Sequence, residues 1–445
     1  MRKSCGLNSG PGRPFNDRRW LLPFLASLLV SVTLFLAAAC GLFSPPYLAG
    51  DDAFLVDVVS FTDWDDGGSP SQRDSGQSVE PEAKDPLLDD NDNPDNAAVN
   101  SDDSDAEPPR LAYLLEGTKG DGLRMRRVLQ AIYHPRNQYI LHLDLEAPPR
   151  ERIDLAMYVK GDPMFSQVGN VRVIAKGNLV TYKGPTMVAC TLHAVAILLK
   201  EGLEWDWFIN LSASDYPLMT QDDILHVFSS LPRNLNFIEH MQISGWKRIQ
   251  RAKPIVLDPG LYLSKKFDLS TTPERRELPT SFKLYTGSAW IMLTKSFLEY
   301  CIWGWDNLPR TLLMYYVNFI SSPEGYFHTV ICNSDEFQGT AVGHDLHYIA
   351  WDYPAKQHPL TLSMKDFNNM VKSGAPFARK FPKEDKQGLG QDRPQEDSVL
   401  EPGPGAERLR GLMKKVLSWD YRNGSCSTLS YDQTKRDWYV PKSKG

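Results

Sequence analysis

Three stretches of this sequence place short polar side chains directly after apolar, strand-like runs, where open α/β sheets bind their ligands. They are His142-Leu143-Asp144-Leu145-Glu146, Ser212-Ala213-Ser214-Asp215-Tyr216-Pro217 and Tyr285-Thr286-Gly287-Ser288-Ala289-Trp290. Asp144 and Asp215 are candidate substrate ligands, with turn formation or capping by a short acid as the competing structural explanation. A metal-dependent sugar transferase needs hard oxygen ligands, usually two carboxylates that reach one divalent cation. Asp144 and Glu146 have such a spacing but share a strand end not necessarily aimed at a diphosphate, and Asp215 has no second acid beside it. No metal site and no cofactor are expected.

Without a metal, the charge of a diphosphate falls to side-chain cations. Phe377-Ala378-Arg379-Lys380-Phe381 supplies two in succession: Arg379 as a fork for phosphate oxygens, Lys380 as a point charge. A solvated charge pair at the domain edge is the bland alternative; the bracketing phenylalanines argue for a segment pinned to the core. Glu324 sits in Ser321-Ser322-Pro323-Glu324-Gly325-Tyr326-Phe327-His328-Thr329. By local rules Ser322 is a helix N-cap, Pro323 the first helical residue and Glu324 an acid favoured by the helix dipole. The functional reading of Glu324 is a general base beside an acceptor hydroxyl.

The elements that must hold these residues begin abruptly at Arg110, where a polar texture gives way to short apolar runs. Strand-like Leu111 to Leu115 is followed by a helix pattern from Leu123 to Ile132, a strand from Tyr139 to Leu143 and a helix from Arg150 to Tyr158. A strand from Val171 to Ile174, a long helix from Pro185 to Lys200 and a strand from Trp207 to Asn210 complete the first half. Such alternation predicts βαβ units and a mainly parallel sheet, an α/β fold. The second half reads as hairpin-like strands from Pro254 to Leu263, a buried strand from Ala289 to Leu293, and helices from Leu308 to Phe319, Pro323 to Cys332 and Ser363 to Val371. Beyond Phe381 the chain turns to Gly, Pro, Gln and charge, with one possible helix from Glu407 to Leu417 and no assigned catalytic role.

Ahead of the domain, an uncharged run from Trp20 to Phe43 has the length of a bilayer-crossing helix. It exceeds the apolar core of a cleavable signal, although Ala37-Ala38-Ala39 resembles a cleavage site. Arg2, Lys3, Arg13, Arg18 and Arg19 precede it and acids follow it, which orients residues 1–19 to the cytosol and the rest to the lumen. Residues 44–109, rich in Asp, Glu, Ser, Pro and Asn, are expected to form a disordered acidic stem. The Asp63-Trp64-Asp65 within it mimics a metal motif by accident. The domain limits are therefore 20–43 for the anchor, 110–381 for the catalytic domain and 382–445 for a tail. A net charge of −6 gives no electrostatic case for a nucleic-acid partner. Of six cysteines, Cys190, Cys301, Cys332 and Cys426 face an oxidising compartment, where one or two disulfides are expected with unreadable pairing. Of two glycosylation sequons, that at Asn210 ends an apolar strand and is expected to be folded away; that at Asn423 lies in a polar tail.

Taken together, Ala131-Ile132-Tyr133-His134-Pro135-Arg136-Asn137, His142-Leu143-Asp144, the segment from Phe208 to Pro217, Thr286-Gly287-Ser288-Ala289-Trp290, Ser322-Pro323-Glu324 and the Arg379-Lys380 pair resemble the core-2/I-branching enzyme family. The plant β-glucuronosyltransferase branch is the nearest in pattern, through Thr181-Tyr182-Lys183-Gly184-Pro185, Lys253-Pro254-Ile255-Val256-Leu257-Asp258-Pro259 and Gly304-Trp305-Asp306-Asn307-Leu308-Pro309. The resemblance implies a GT-A-type, Rossmann-like nucleotide-sugar-binding fold in the Golgi membrane and an inverting, metal-independent transfer from a UDP-sugar. For this branch it implies UDP-glucuronic acid as donor and galactan chains on arabinogalactan glycoproteins as acceptors. Carried over by motif, Glu324 is the catalytic base, and Arg379, Lys380, His347, Asp144, Asp215 and Glu239 are the residues expected to bind substrate.

Two departures qualify the transfer. The core-2 enzymes place the base two residues after the proline, which falls on Gly325 here, and xylosyltransferases carry an acid where this chain has Ala289. His347 stands where relatives often show Arg, and a packed strand residue is the competing reading. A glucuronate pocket should also present a cation to the sugar carboxylate; Lys247, Arg248, Arg251 and Lys253 are the candidates, unranked. N-acetylglucosamine or xylose as the donor sugar, or a catalytically silent glycan-binding protein, are the alternatives.

Overall fold

A computed structural model of the protein describes residues 107–262, 269–352, 358–383, 400–423 and 426. The expected cytosolic tail and membrane anchor, and the stem as far as residue 106, lie outside them; among the described residues no helix is long and apolar enough to cross a membrane.

Leu111, Ala112, Tyr113, Leu114 and Leu115 are all fully buried, as befits a parallel strand covered on both faces. Alternation along the strand sends Leu111, Tyr113 and Leu115 into one apolar cluster and Ala112 and Leu114 into another. That strand, Leu111–Gly117, lies between Trp207–Ser212 and Gln138–Leu143 and parallel to both. The full sheet has seven strands in the order Ala341–Val342, Asn236–Phe237, Met292–Thr294, Trp207–Ser212, Leu111–Gly117, Gln138–Leu143 and Val171–Val173. Met292–Thr294 alone among them runs against its neighbours. Helices Gly122–Ile132, Pro149–Gly161 and Gln221–Ser229 cover the first face, and Thr186–Lys200, Lys295–Trp303, Leu308–Tyr316 and Tyr326–Asn333 the second. The expected α/β architecture with a mainly parallel sheet is what forms.

Four local expectations are corrected. The strand Pro254–Leu257 finds its antiparallel partner in Ser270–Arg275, whereas Pro259–Tyr262 coils into a 3₁₀ turn. Ser270–Arg275 is polar and largely exposed, so it carries no apolar alternation to announce it. The buried run from Ala289 joins the sheet only at Met292, because the Asn210 side chain stands in for a strand partner: Nδ2 donates to Ala289 O at 3.0 Å and Oδ1 accepts from Ile291 N–H at 2.9 Å. That buried amide lies folded away, as its sequon's position predicts.

The helix expected from Pro323 instead starts at Tyr326, after a separate 3₁₀ turn Ser322–Glu324. Ser322 does not cap it, since its Oγ donates to the carbonyls of Tyr316 and Phe319 at 2.7 and 2.8 Å. Finally, the folded body does not end at Phe381. Helix Pro404–Asn423 buries Ala406, Leu409, Leu412, Met413 and Val416 in the first core cluster. Asp223 fixes its start by accepting from the amides of Gly403 and Ala406 at 2.7 and 3.0 Å. Among the described residues one disulfide forms, Cys332 to Cys426, while Cys190 and Cys301 are buried thiols.

Candidate active site

Glu324, Arg379, Lys380 and Glu239 line one cleft of about 680 Å³. Cations outnumber acids on its walls: Lys183, Lys247, Arg251, Arg379 and Lys380 face Glu239 and Glu324. Such a surface attracts a polyanion, and aromatic side chains from Tyr182, Trp246, Trp290 and Trp351 supply flat apolar walls between the charges.

Arg379 is placed by a small second sheet. Phe377–Arg379 pairs in parallel with His347–Ile349 and antiparallel with Tyr216–Pro217. Phe377 is buried in the main core, and Phe381 packs edge-on against Tyr216 and donates its amide to Ser214 O at 2.9 Å, so the segment is pinned at both ends. The Arg379 guanidinium carbon lies 3.5 Å from the centre of the Trp290 ring, and Nε lies 3.4 Å from Asp215 Oδ1. Burial pulls the Arg379 pKa below its ordinary value and Asp215 opposes this. Nη1 is buried without a hydrogen-bond partner among the described residues, a donor held ready for an anion. Lys380 next to it is exposed at the cleft rim.

Asp215 and His347 stand behind Arg379 rather than in the cleft. The Asp215 carboxylate is wholly buried and its Oδ2 accepts from Ser212 N–H at 2.7 Å. His347 Nε2 lies 4.0 Å from that carboxylate, with the ring set between Trp290 and Phe377. Asp144 does not line the cleft. It closes a turn at the end of Gln138–Leu143, its Oδ1 accepting from Glu146 N–H at 3.0 Å. Burial is the main cause that raises its pKa to about 6. Glu146 beside it accepts from Thr118 Oγ1 at 3.1 Å.

Glu324 enters the cleft from the turn that precedes Tyr326–Asn333. Tyr182 donates to Oε1 at 3.0 Å, Arg251 donates through Nη2 to Oε2, and Arg251 Nη1 donates to Thr286 Oγ1 at 2.5 Å. Burial of its hydroxyl end, and then the Glu324 charge, push the Tyr182 pKa well above the phenol range. Tyr182 belongs to a loop that Asp258 holds at both ends. The buried Asp258 Oδ2 accepts from Thr181 Oγ1 at 2.6 Å and from Thr186 Oγ1 at 2.8 Å. A Cβ at Gly184 would sit 2.0 Å from the same oxygen, which is why the loop needs glycine there. At Gly287 a Cβ would sit 1.6 Å from Glu239 O, so glycine lets Tyr285–Gly287 close against His240–Gln242 and bring Glu239 into the wall.

The family model for the core-2/I-branching enzymes matches residues 111–371. The chain belongs to that family. It is 54% identical over 349 residues to beta-glucuronosyltransferase GlcAT14A of Arabidopsis thaliana, covering 72% of this chain and 78% of that one. With GlcAT14C of the same plant the identity is 56% over 312 residues, covering 70% and 80%. Xylosyltransferase 2 of Homo sapiens is 31% identical over 252 residues, covering 56% of this chain but only 27% of the other.

In this core-2/I-branching enzyme the fold brings Glu324, Arg379, Lys380 and Glu239, which the sequence singles out separately, to one cleft, and it adds Tyr182, Trp290 and Asp258, to which the sequence assigns no role. All three lie in family-like motifs, which was the available signal. The four unranked cations separate clearly: Lys247 and Arg251 line the cleft, whereas Arg248 turns away and donates to Pro279 O at 2.8 Å. Lys253 ends helix Gly245–Ala252 outside the cleft lining.

Proposed function

We propose that this protein transfers glucuronic acid from UDP-glucuronic acid, with inversion and without a divalent metal, to β-galactan chains of arabinogalactan glycoproteins. The observation that carries this reading is the convergence of Glu324 with Arg379 and Lys380 on one cleft. The high identity to proteins named β-glucuronosyltransferases, over most of their length, supports the sugar assignment.

In this reading the donor diphosphate lies on Arg379 and Lys380, which do the work that a metal ion does in other sugar transferases. Trp290 and Asp215 hold the Arg379 fork in place before the donor arrives, so little reorganisation accompanies bond breaking. Glu324 takes the proton of the acceptor hydroxyl as its oxygen attacks the sugar's anomeric carbon. The carbon–phosphate-oxygen bond breaks on the opposite face and UDP leaves with the electron pair, its charge met by the two cations. An α-linked donor gives a β-linked product. Asp144, at the carboxyl end of the sheet, is assigned to the nucleoside side of the donor. The GT-A-type fold, a type II anchor at residues 20–43, an acidic stem and a lumenal Golgi setting complete the proposal.

A donor panel tests it. The purified protein with β-galactan oligosaccharide should release UDP from UDP-glucuronic acid far faster than from UDP-xylose or UDP-N-acetylglucosamine. Preference for either of the latter overturns the sugar, and silence with every donor overturns the enzyme.

A further inference from the structure

The carboxylate assigned as base is engaged on both oxygens, by Tyr182 on one and Arg251 on the other. A carboxylate whose two oxygens already accept from fixed donors has no oxygen aimed at an acceptor hydroxyl, the wrong arrangement for a general base. The pair nevertheless sits at the cleft surface, its side chains 25% and 24% exposed, within reach of a ligand. Arg251 also belongs to a thinly anchored element: helix Gly245–Ala252 buries only Ala252, and Gly245 at its start has φ +57°.

We propose that Arg251 selects the donor: the carboxylate of a nucleotide-linked uronic acid takes the Arg251 guanidinium from Glu324, so that binding the right sugar frees the base. This rests on the functional reading above. The exchange replaces one carboxylate by another at Nη2, so the charge around Arg251 is conserved while Nη1 stays on Thr286. A neutral sugar has no anion to offer. It either leaves Glu324 tied to Arg251 or separates them with both charges unpaired. Selection then operates on catalysis as well as on binding, because only the uronate donor leaves a competent base behind. Lys247 on the same wall offers a point charge on a flexible stem, without the fork.

Calorimetry on the purified protein with UDP, UDP-glucose and UDP-glucuronic acid tests the exchange. The wild type should bind UDP-glucuronic acid about tenfold or more tighter than UDP-glucose. Arg251→Gln should bring the two to near equality with UDP affinity unmoved. Glu324→Gln should bind UDP-glucuronic acid more tightly than the wild type does, since the competing carboxylate is gone, with UDP-glucose unmoved. This second variant carries the test by itself if the first fails to fold. An Arg251→Gln protein that keeps the wild-type preference, or a Glu324→Gln protein with no gain for the uronate donor, overturns the exchange. Failure of the wild type to transfer from UDP-glucuronic acid at all overturns the functional reading instead.

Discussion

The Arg379 guanidinium carbon lies 3.5 Å from the centre of the Trp290 ring, with Asp215 behind its Nε at 3.4 Å. Face and edge of the cation are thus fixed by different parts of the chain, and its Nη1 is left without a hydrogen-bond partner among the described residues. Lysine cannot reproduce that arrangement, because it lacks both the planar face and the fork. Arg379→Lys should weaken UDP binding by about tenfold, and Arg379→Ala should lower kcat by about 10²–10³, the range for losing one preorganised donor. Trp290→Leu should fall between wild type and Arg379→Ala. Calorimetry with UDP and steady-state kinetics read these effects; wild-type UDP affinity in Arg379→Lys would move the diphosphate elsewhere.

Asp258 ties together two segments 72 residues apart, accepting from the hydroxyls of Thr181 and Thr186. It is fully buried and Thr186 is buried beside it, so Asp258→Ala takes the acceptor from the Thr186 amide and hydroxyl. A loss of about 2–4 kcal/mol in urea unfolding is expected, from stranded groups worth about 1–3 kcal/mol each. Activity at temperatures where the variant is still folded should also fall, since Tyr182 and its bond to Glu324 ride on this loop. Unchanged stability would mean that the loop is held by other contacts.

Glu116 faces His142 across the parallel strand pair, with Oε1 buried and unpartnered. Burial raises its pKa from 4.5 to about 7, with the Cys190 thiol hydrogen bond opposing. Between those values the folded chain keeps a proton that the unfolded chain releases, so this group's contribution to stability falls as pH rises from 4.5 to 7. Glutamine mimics the protonated acid at every pH. Glu116→Gln should therefore be more stable than the wild type at pH 8, by on the order of 2–3 kcal/mol, with the gain shrinking steadily toward pH 5. Melting curves across that range check it; a gain independent of pH would assign the effect to packing.

The parallel sheet was legible because Leu111 to Leu115 and Trp207 to Asn210 are unbroken apolar runs joined through helix-periodic segments. Glu324, Arg379 and Lys380 stand out through the family resemblance, since local rules alone favour a helix-start acid and a solvated charge pair; the fold brings all three to one cleft. What was missed depends on contacts distant in sequence. Ser322 looks like a cap by local rules, yet its hydroxyl is spent on Tyr316 and Phe319. The helix Pro404–Asn423 was set outside the domain because the Gly-, Pro- and charge-rich residues before it hide its apolar face, which only the sheet's first core reveals. Arg248 and Arg251 are alike in sequence and nearly a helical turn apart, and what separates them is the partner the fold brings to each, Pro279 O for one and Glu324 for the other.

In the proposed reaction Glu324 takes the acceptor proton and no metal takes part. Its most direct test is UDP release from UDP-glucuronic acid and β-galactan oligosaccharide in EDTA, comparing wild type with Glu324→Gln. The wild type should turn over fully in the chelator, and the variant should lose about 10²–10⁴ in kcat, the range for removing a general base. A variant within a few-fold of wild type, or wild-type turnover abolished by EDTA and restored by a divalent cation, would contradict it.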